Sequence, residues 1–100
     1  MEALDKVNLK KYLKLINLFC DMQIDVKEFE THFIKLRRED SYWMSGSFEQ
    51  QLGQILYTLF LDISDYTPNE LYDVNDPINI NESELRIRVN EARLKLEAIK

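Results

Sequence analysis

Apolar residues recur along this chain at spacings of three and four rather than two, and they do so in four separate runs. Leu9, Leu13, Ile16 and Cys20 share one face with Tyr12 and Phe19 beside them, a period that predicts an amphipathic helix. Asp5 or Asn8 is expected to cap its start, Lys10, Lys11 and Lys14 to face water, and the helix to stop near Asp21 or Met22. Val26, Phe29, Phe33 and Leu36 predict a second helix, opened by the capping-box-like pair Asp25 and Glu28 and closed by Arg37 and Arg38. The widest apolar face, Phe48, Leu52, Ile55, Leu56, Leu59, Phe60 and Ile63, predicts a third and central helix, with Ser47 as cap and Gln50 completing the box. Gly53 inside it costs about 1 kcal/mol relative to Ala, which suggests that a neighbouring helix comes close. Asn81 with Glu84 opens the fourth, where Leu85, Val89, Ala92, Leu96 and Ile99 repeat to the end.

The links differ in character. Residues 39–47 break the periodicity and carry Tyr42 and Trp43, whose rings are expected to fold back over the end of a small core. The connection from residue 66 to 81 is long for a compact helical domain, is stiffened by Pro68 and Pro77, and suits a functional loop. The resulting expectation is all-α: an antiparallel four-helix bundle, one domain over residues 1–100, with a long acidic loop between helices 3 and 4.

Charge sharpens this picture. Residues 39–85, 47 positions, hold ten acidic residues and no Lys or Arg, whereas the flanks carry net charges of +2 and +3 within a total of −5. Chance placement of 13 basic residues would rarely leave such a gap, so a positively charged partner is the plainest reason for it. Residues 62–84 concentrate seven of the carboxylates: Asp62, Asp65, Glu70, Asp73, Asp76, Glu82 and Glu84. These, with Tyr66 and Tyr72 as aromatic contacts, are the expected binding residues.

Other chemistry finds little support. With one histidine, His32, a di-iron bundle lacks its ligands and a nucleophilic triad has one possible base. Asp73, Asn75, Asn79, Asn81 and Glu84 match part of a calcium loop, but Ile78 stands where that loop turns on glycine, after Pro77. Cys20 is single and reads as a small buried hydrophobe. No apolar run reaches the ~18 residues of a membrane span, and no signal peptide is recognisable, so a cytoplasmic protein is expected. Acidity disfavours nucleic acid. The reading is a non-enzyme with no cofactor and no metal.

Three runs carry a family resemblance: LINLFCDMQIDVKEFETHFIKLRRE, ILYTLFLDISDY and INESELRIRVNEARLKL. Phe29 and Phe33 after the Ile24-Asp25 turn, Leu59-Phe60, Tyr66 past an acidic helix end, and Glu82, Glu84, Leu85 and Arg86 opening the last helix together resemble the colicin D immunity protein family. That family includes bacterial self-protective colicin-like immunity domains and immunity proteins of contact-dependent growth inhibition. In the family pattern an aspartate more often stands two residues before the tyrosine; here that position is Ser64, and Asp65 adjoins Tyr66. The resemblance implies a four-helix fold that neutralises a cognate toxin, commonly a tRNA-cleaving nuclease domain, by covering its basic active site with acidic residues. A bacterial cytoplasmic monomer in a 1:1 complex is expected. The alternative is a helical adaptor or regulatory module that binds a basic protein segment.

Overall fold

Helices form at all four predicted places, and a short fifth one stands between the second and third. The computed structural model describes residues 2–68, 71, 73, 75–76 and 79–99. In chain order come α1 (Ala3–Cys20), α2 (Val26–Arg38), α3 (Ser41–Met44), α4 (Gln50–Asp65) and α5 (Glu82–Ala98). Among the described residues the structure is all-helical, with five α-helices where four are expected. The extra turn exists because the Asp40 carboxylate accepts from the backbone N–H groups of both Tyr42 and Trp43, capping residues read as a connector.

Two predicted caps form. Asp25 accepts from the Glu28 N–H at 2.8 Å, and Asn81 accepts from the Glu84 N–H at 2.9 Å. Two others are corrected. Glu49, not Ser47, caps α4, because its carboxylate reaches the N–H groups of Gln51 and Leu52. At α1 the N-cap is Glu2, without a side-chain bond; Asp5 is buried inside the first turn, and Asn8 bonds back to the Leu4 carbonyl. The end of α1 does fall at Asp21 and Met22: Gln23 N–H donates to the Leu18 carbonyl and Met22 N–H to that of Phe19, with Met22 at φ +60°. This is the Schellman arrangement, with methionine where glycine is usual.

The four long helices close a ring of packed pairs, α1 on α2, α2 on α4, α4 on α5 and α5 on α1. Side-chain contacts give their directions. Phe19 near the end of α1 stacks on Phe29 in the first half of α2, at 4.4 Å between centroids. Glu49 N–H, at the start of α4, donates to Asp5 at the start of α1. Arg86, at the start of α5, donates to the Phe19 carbonyl at the end of α1. Neighbours around the ring therefore run in opposite directions.

The core fills the ring. Leu52, Leu56, Leu59 and Ile63 of α4 are buried with Leu85, Val89, Ala92 and Leu96 of α5, as their periods predict. On α1 the buried face centres on Leu9, Tyr12, Ile16 and Phe19 and includes Leu15, while Leu13 and Cys20 are half-buried at its edge. Tyr42 and Trp43 do fold back. The Trp43 ring meets Tyr12 edge-on at 5.2 Å and Phe33 at 5.9 Å, and Tyr42 meets Phe48 at 4.8 Å. Gly53 is not explained by a close helix: a Cβ there would meet only the Phe48 Cβ, at 3.8 Å.

Candidate functional site

The long connection leaves α4 at Tyr66 and comes back at Ile80, and these two residues form a parallel β-bridge. Ile80 N–H donates to the Asp65 carbonyl at 3.2 Å, and Thr67 N–H donates to the Ile80 carbonyl at 2.9 Å. The Thr67 hydroxyl adds a bond to Asn79 Oδ1 at 3.0 Å, and Ile80 is buried in the core. Both stems of the loop are thus fastened to each other and to the interior. A loop closed in this way loses less entropy when a partner holds it than one free at its ends.

Within the loop, backbone turns are set locally. Leu71 N–H donates to the Pro68 carbonyl at 2.8 Å and Asp76 N–H to that of Asp73 at 3.1 Å. The Asp73 carboxylate accepts from Asn75 N–H at 2.9 Å, an Asx turn. Asp73 and Asp76 are exposed, Asp65 is half-buried, and Tyr66 packs partly against the core. Glu70 and Tyr72, two expected contacts, lie outside the described residues, as does Pro77.

Three more of the expected carboxylates are occupied. Arg88 Nη1 donates to Asp62 at 2.8 Å and its Nε to Glu84 at 3.0 Å, tying α5 to α4. Hydrogen bonds to Asp62 and then Glu84 hold the Arg88 guanidinium above its already high value. Arg86 pairs with Glu82 at 3.0 Å, donates to the Phe19 carbonyl and lies 4.2 Å over the Phe19 ring. The stretch is therefore divided. Asp62, Glu82 and Glu84 form an arginine-laced base, whereas Asp65 and Asp73 have no basic partner among the described residues. Arg88 is the residue that the sequence reading missed. Its bond to Glu84 has an i,i+4 signature, but its bond to Asp62 spans 26 residues and has none.

Two further carboxylates, Asp40 from the acidic count and Asp5 from the N-terminal flank, lie at the opposite end of the molecule. Asp40 is buried, accepts from the Tyr12 hydroxyl at 2.6 Å and pairs with Lys11 at 3.1 Å. Burial pushes its carboxyl up, yet bonds from Tyr12, Lys11 and the Trp43 N–H together hold it below the usual carboxylate range. Asp5 accepts from the Tyr42 hydroxyl and from Glu49 N–H. The hydrogen bond to Asp5, with burial second, pushes Tyr42 up to about 12. Both carboxylates hold structure.

Among the described residues no three His, Cys, Asp or Glu side chains assemble as a metal site. His32 is exposed on α2. Burial pushes the Cys20 thiol up, away from the range of a reactive thiolate. No helix is long and apolar enough to cross a membrane among the described residues.

The described residues thus form a small all-helical frame with a long connection closed at both stems. The family model for bacterial self-protective colicin-like immunity matches residues 7–96, and the chain belongs to that family. Membership implies a toxin-neutralising immunity protein that acts by binding its toxin. No curated protein and no solved structure matches the chain.

Proposed function

We propose that the chain neutralises a cognate nuclease toxin, a tRNA-cleaving domain in the first instance, by laying its acidic loop over the toxin's basic active site. The observation that carries this reading is the pinned loop: Asp73 on it and Asp65, the last residue of α4, where it begins, stand without a basic partner among the described residues. A nuclease must gather Lys and Arg to hold phosphates and to stabilise charge during cleavage. Carboxylates on a closed loop can take those cationic positions in place of phosphate, and their field speeds encounter.

In this reading Asp65, Asp73, Asp76 and Glu70 supply charge, Tyr66 and Tyr72 supply aromatic contact, and Asp62, Glu82 and Glu84 hold the base through their arginines. The four long helices act as an antiparallel bundle that carries the loop. The complex is one-to-one, forms in the bacterial cytoplasm and serves a contact-dependent inhibition or bacteriocin system.

The test is co-expression with the C-terminal domain encoded by the large reading frame immediately upstream, following growth and total tRNA. Restored growth with intact tRNA supports the reading. If that domain stays lethal beside this chain, or is harmless without it, an adaptor that binds some other basic segment takes its place.

A further inference from the structure

The opposite face of the ring carries a groove of the opposite character. Because the helices close in the order α1, α2, α4, α5, the seam between α1 and α2 lies across the core from the α4–α5 seam that holds the Asp62–Arg88 pair. The α1–α2 seam opens into a groove of about 480 Å³ floored by Leu15, Leu18 and Leu36. Lys11, Lys14, Lys35 and His32 stand around it, with Glu39 as the one carboxylate among its described lining residues. Lys11 is engaged with Asp40, but Lys14 and Lys35 are exposed and pair with no carboxylate among the described residues.

Beside the groove, the same face of α1 carries further apolar side chains. Leu4, Val7, Lys11, Lys14 and Leu18 fall at spacings of three, four, three and four, on one stripe of the helix. Leu4 and Val7 are about two-thirds exposed, 67% and 68%, although α1 has ample apolar side chains for the core on its other face. From residue 4 to 18 the stripe runs roughly 21 Å, the length of a 14-residue helix.

We infer that the α1–α2 groove is a second docking site, for an acidic amphipathic helix of a partner protein. Two antiparallel helices leave a channel along their axes that suits a third helix, whose apolar residues settle on the leucine floor at helical intervals. The lysines choose its charge: carboxylates flanking the apolar stripe meet Lys14 and Lys35, while a basic helix meets repulsion. An apolar floor is poor ground for a phosphate backbone, which needs polar contacts along its length. Since the groove and the acidic loop occupy different seams, both can be filled at once, and the chain can bridge a basic toxin and an acidic second protein.

The probe is a fluorescein-labelled 16-residue designed helix with leucines on one face flanked by glutamates, compared with versions carrying Gln or Lys in place of Glu. Binding is followed by anisotropy, and the surface is mapped by amide chemical shifts on the full chain. The inference expects saturable binding of the Glu helix alone, with shifts at Val7, Lys14, Leu18 and Lys35. It expects Lys14→Glu with Lys35→Glu to weaken binding about tenfold or more, the scale of lost charge contacts at an interface. Asp73→Lys with Asp76→Lys should leave that binding unchanged, which separates this site from the toxin-binding loop. Absence of binding, shifts elsewhere, or equal affinity in the Lys14/Lys35 variant overturns it. So does association with phosphatidylglycerol vesicles, or with a second copy of this chain, that is lost in the Lys14/Lys35 variant while the Glu helix fails to bind.

Discussion

Arg88 on α5 donates through Nη1 to Asp62 on α4 at 2.8 Å while its Nε holds Glu84 at 3.0 Å, so one guanidinium neutralises two carboxylates of the acidic stretch. The Asp62 side chain is 14% exposed and that of Arg88 37%. This bond joins the two helices at whose ends the loop begins and finishes. It therefore serves the frame and subtracts from the field at the same time.

Replacing Arg88 with Gln separates the two roles. Stability should fall by about 1 kcal/mol, between an exposed pair and a stranded buried carboxylate. Association with a basic toxin domain should become faster at low salt, because Asp62 and Glu84 regain their full charge. Denaturant melts and stopped-flow association on one variant read both. A slower association would mean that the frame, rather than the field, limits capture.

The loop carboxylates are the converse case. Asp73 and Asp76 are exposed, and the Asx-turn bond from Asn75 N–H to the Asp73 carboxylate is local to the loop, so the double change to Lys should cost no more than about 1 kcal/mol and leave the helical frame folded. The same variant should lose protection in co-expression and show slower toxin association with a flatter salt dependence. Protection that survives both reversals would remove the loop from the interface.

At the other end, Asp40 and two tyrosines make stability depend on pH in both directions. Asp40 titrates below an unfolded aspartate, about 3.9, so its contribution is full above that value and is lost as pH falls through the folded one. Tyr12 is raised by burial and then by its bond to Asp40, and Tyr42 by its bond to Asp5 and then by burial. Their contributions are full below the ordinary tyrosine value of about 10 and fade as pH climbs through the folded values, about 12 for Tyr42. Asp40→Asn should cost about 1–3 kcal/mol at neutral pH, because a buried hydrogen-bond network loses its charge. The acid limb of a stability–pH curve should flatten in this variant; an unchanged limb would assign acid sensitivity to other carboxylates.

Two backbone positions carry the wrong residue for their geometry. Met22 sits at φ +60° in the Schellman turn after α1 and is 74% exposed, so glycine there should stabilise by about 0.5–1 kcal/mol. Gly53 sits inside α4 with room for a Cβ, so alanine there should contribute up to about 1 kcal/mol. Together they should raise Tm by roughly 4–10 °C in a domain of this size. A fall in Tm for Gly53→Ala would show that α4 needs its glycine after all.

Much of the frame was legible because helices answer to local rules. The apolar spacing of α2, α4 and α5 placed their buried residues, and Asp25 and Asn81 could be recognised as caps because a cap acts within three residues of itself. The pairs Glu82–Arg86 and Glu84–Arg88 are local too, at i,i+4. Even the Leu4-to-Leu18 stripe is written in the spacing. Its exposure is not, since a stripe of leucine, valine and lysine reads equally well as part of an interior face.

The sequence by itself determined that the chain is helical, where α2 and α5 start, and that 47 consecutive positions exclude Lys and Arg. Only the tertiary structure decided which of those charges remain to be offered. Asp62 meets Arg88 26 residues away, and Asp40 meets Tyr12 across 28. Linear distance from a basic residue is no measure of distance in space once α5 lies beside α4 and α1 beside α2. Electrostatic pairing depends on separation through the fold, and so packing, not composition, leaves Asp73 on a pinned loop and Asp65 at its root while it absorbs Asp62 and Asp40 into the frame.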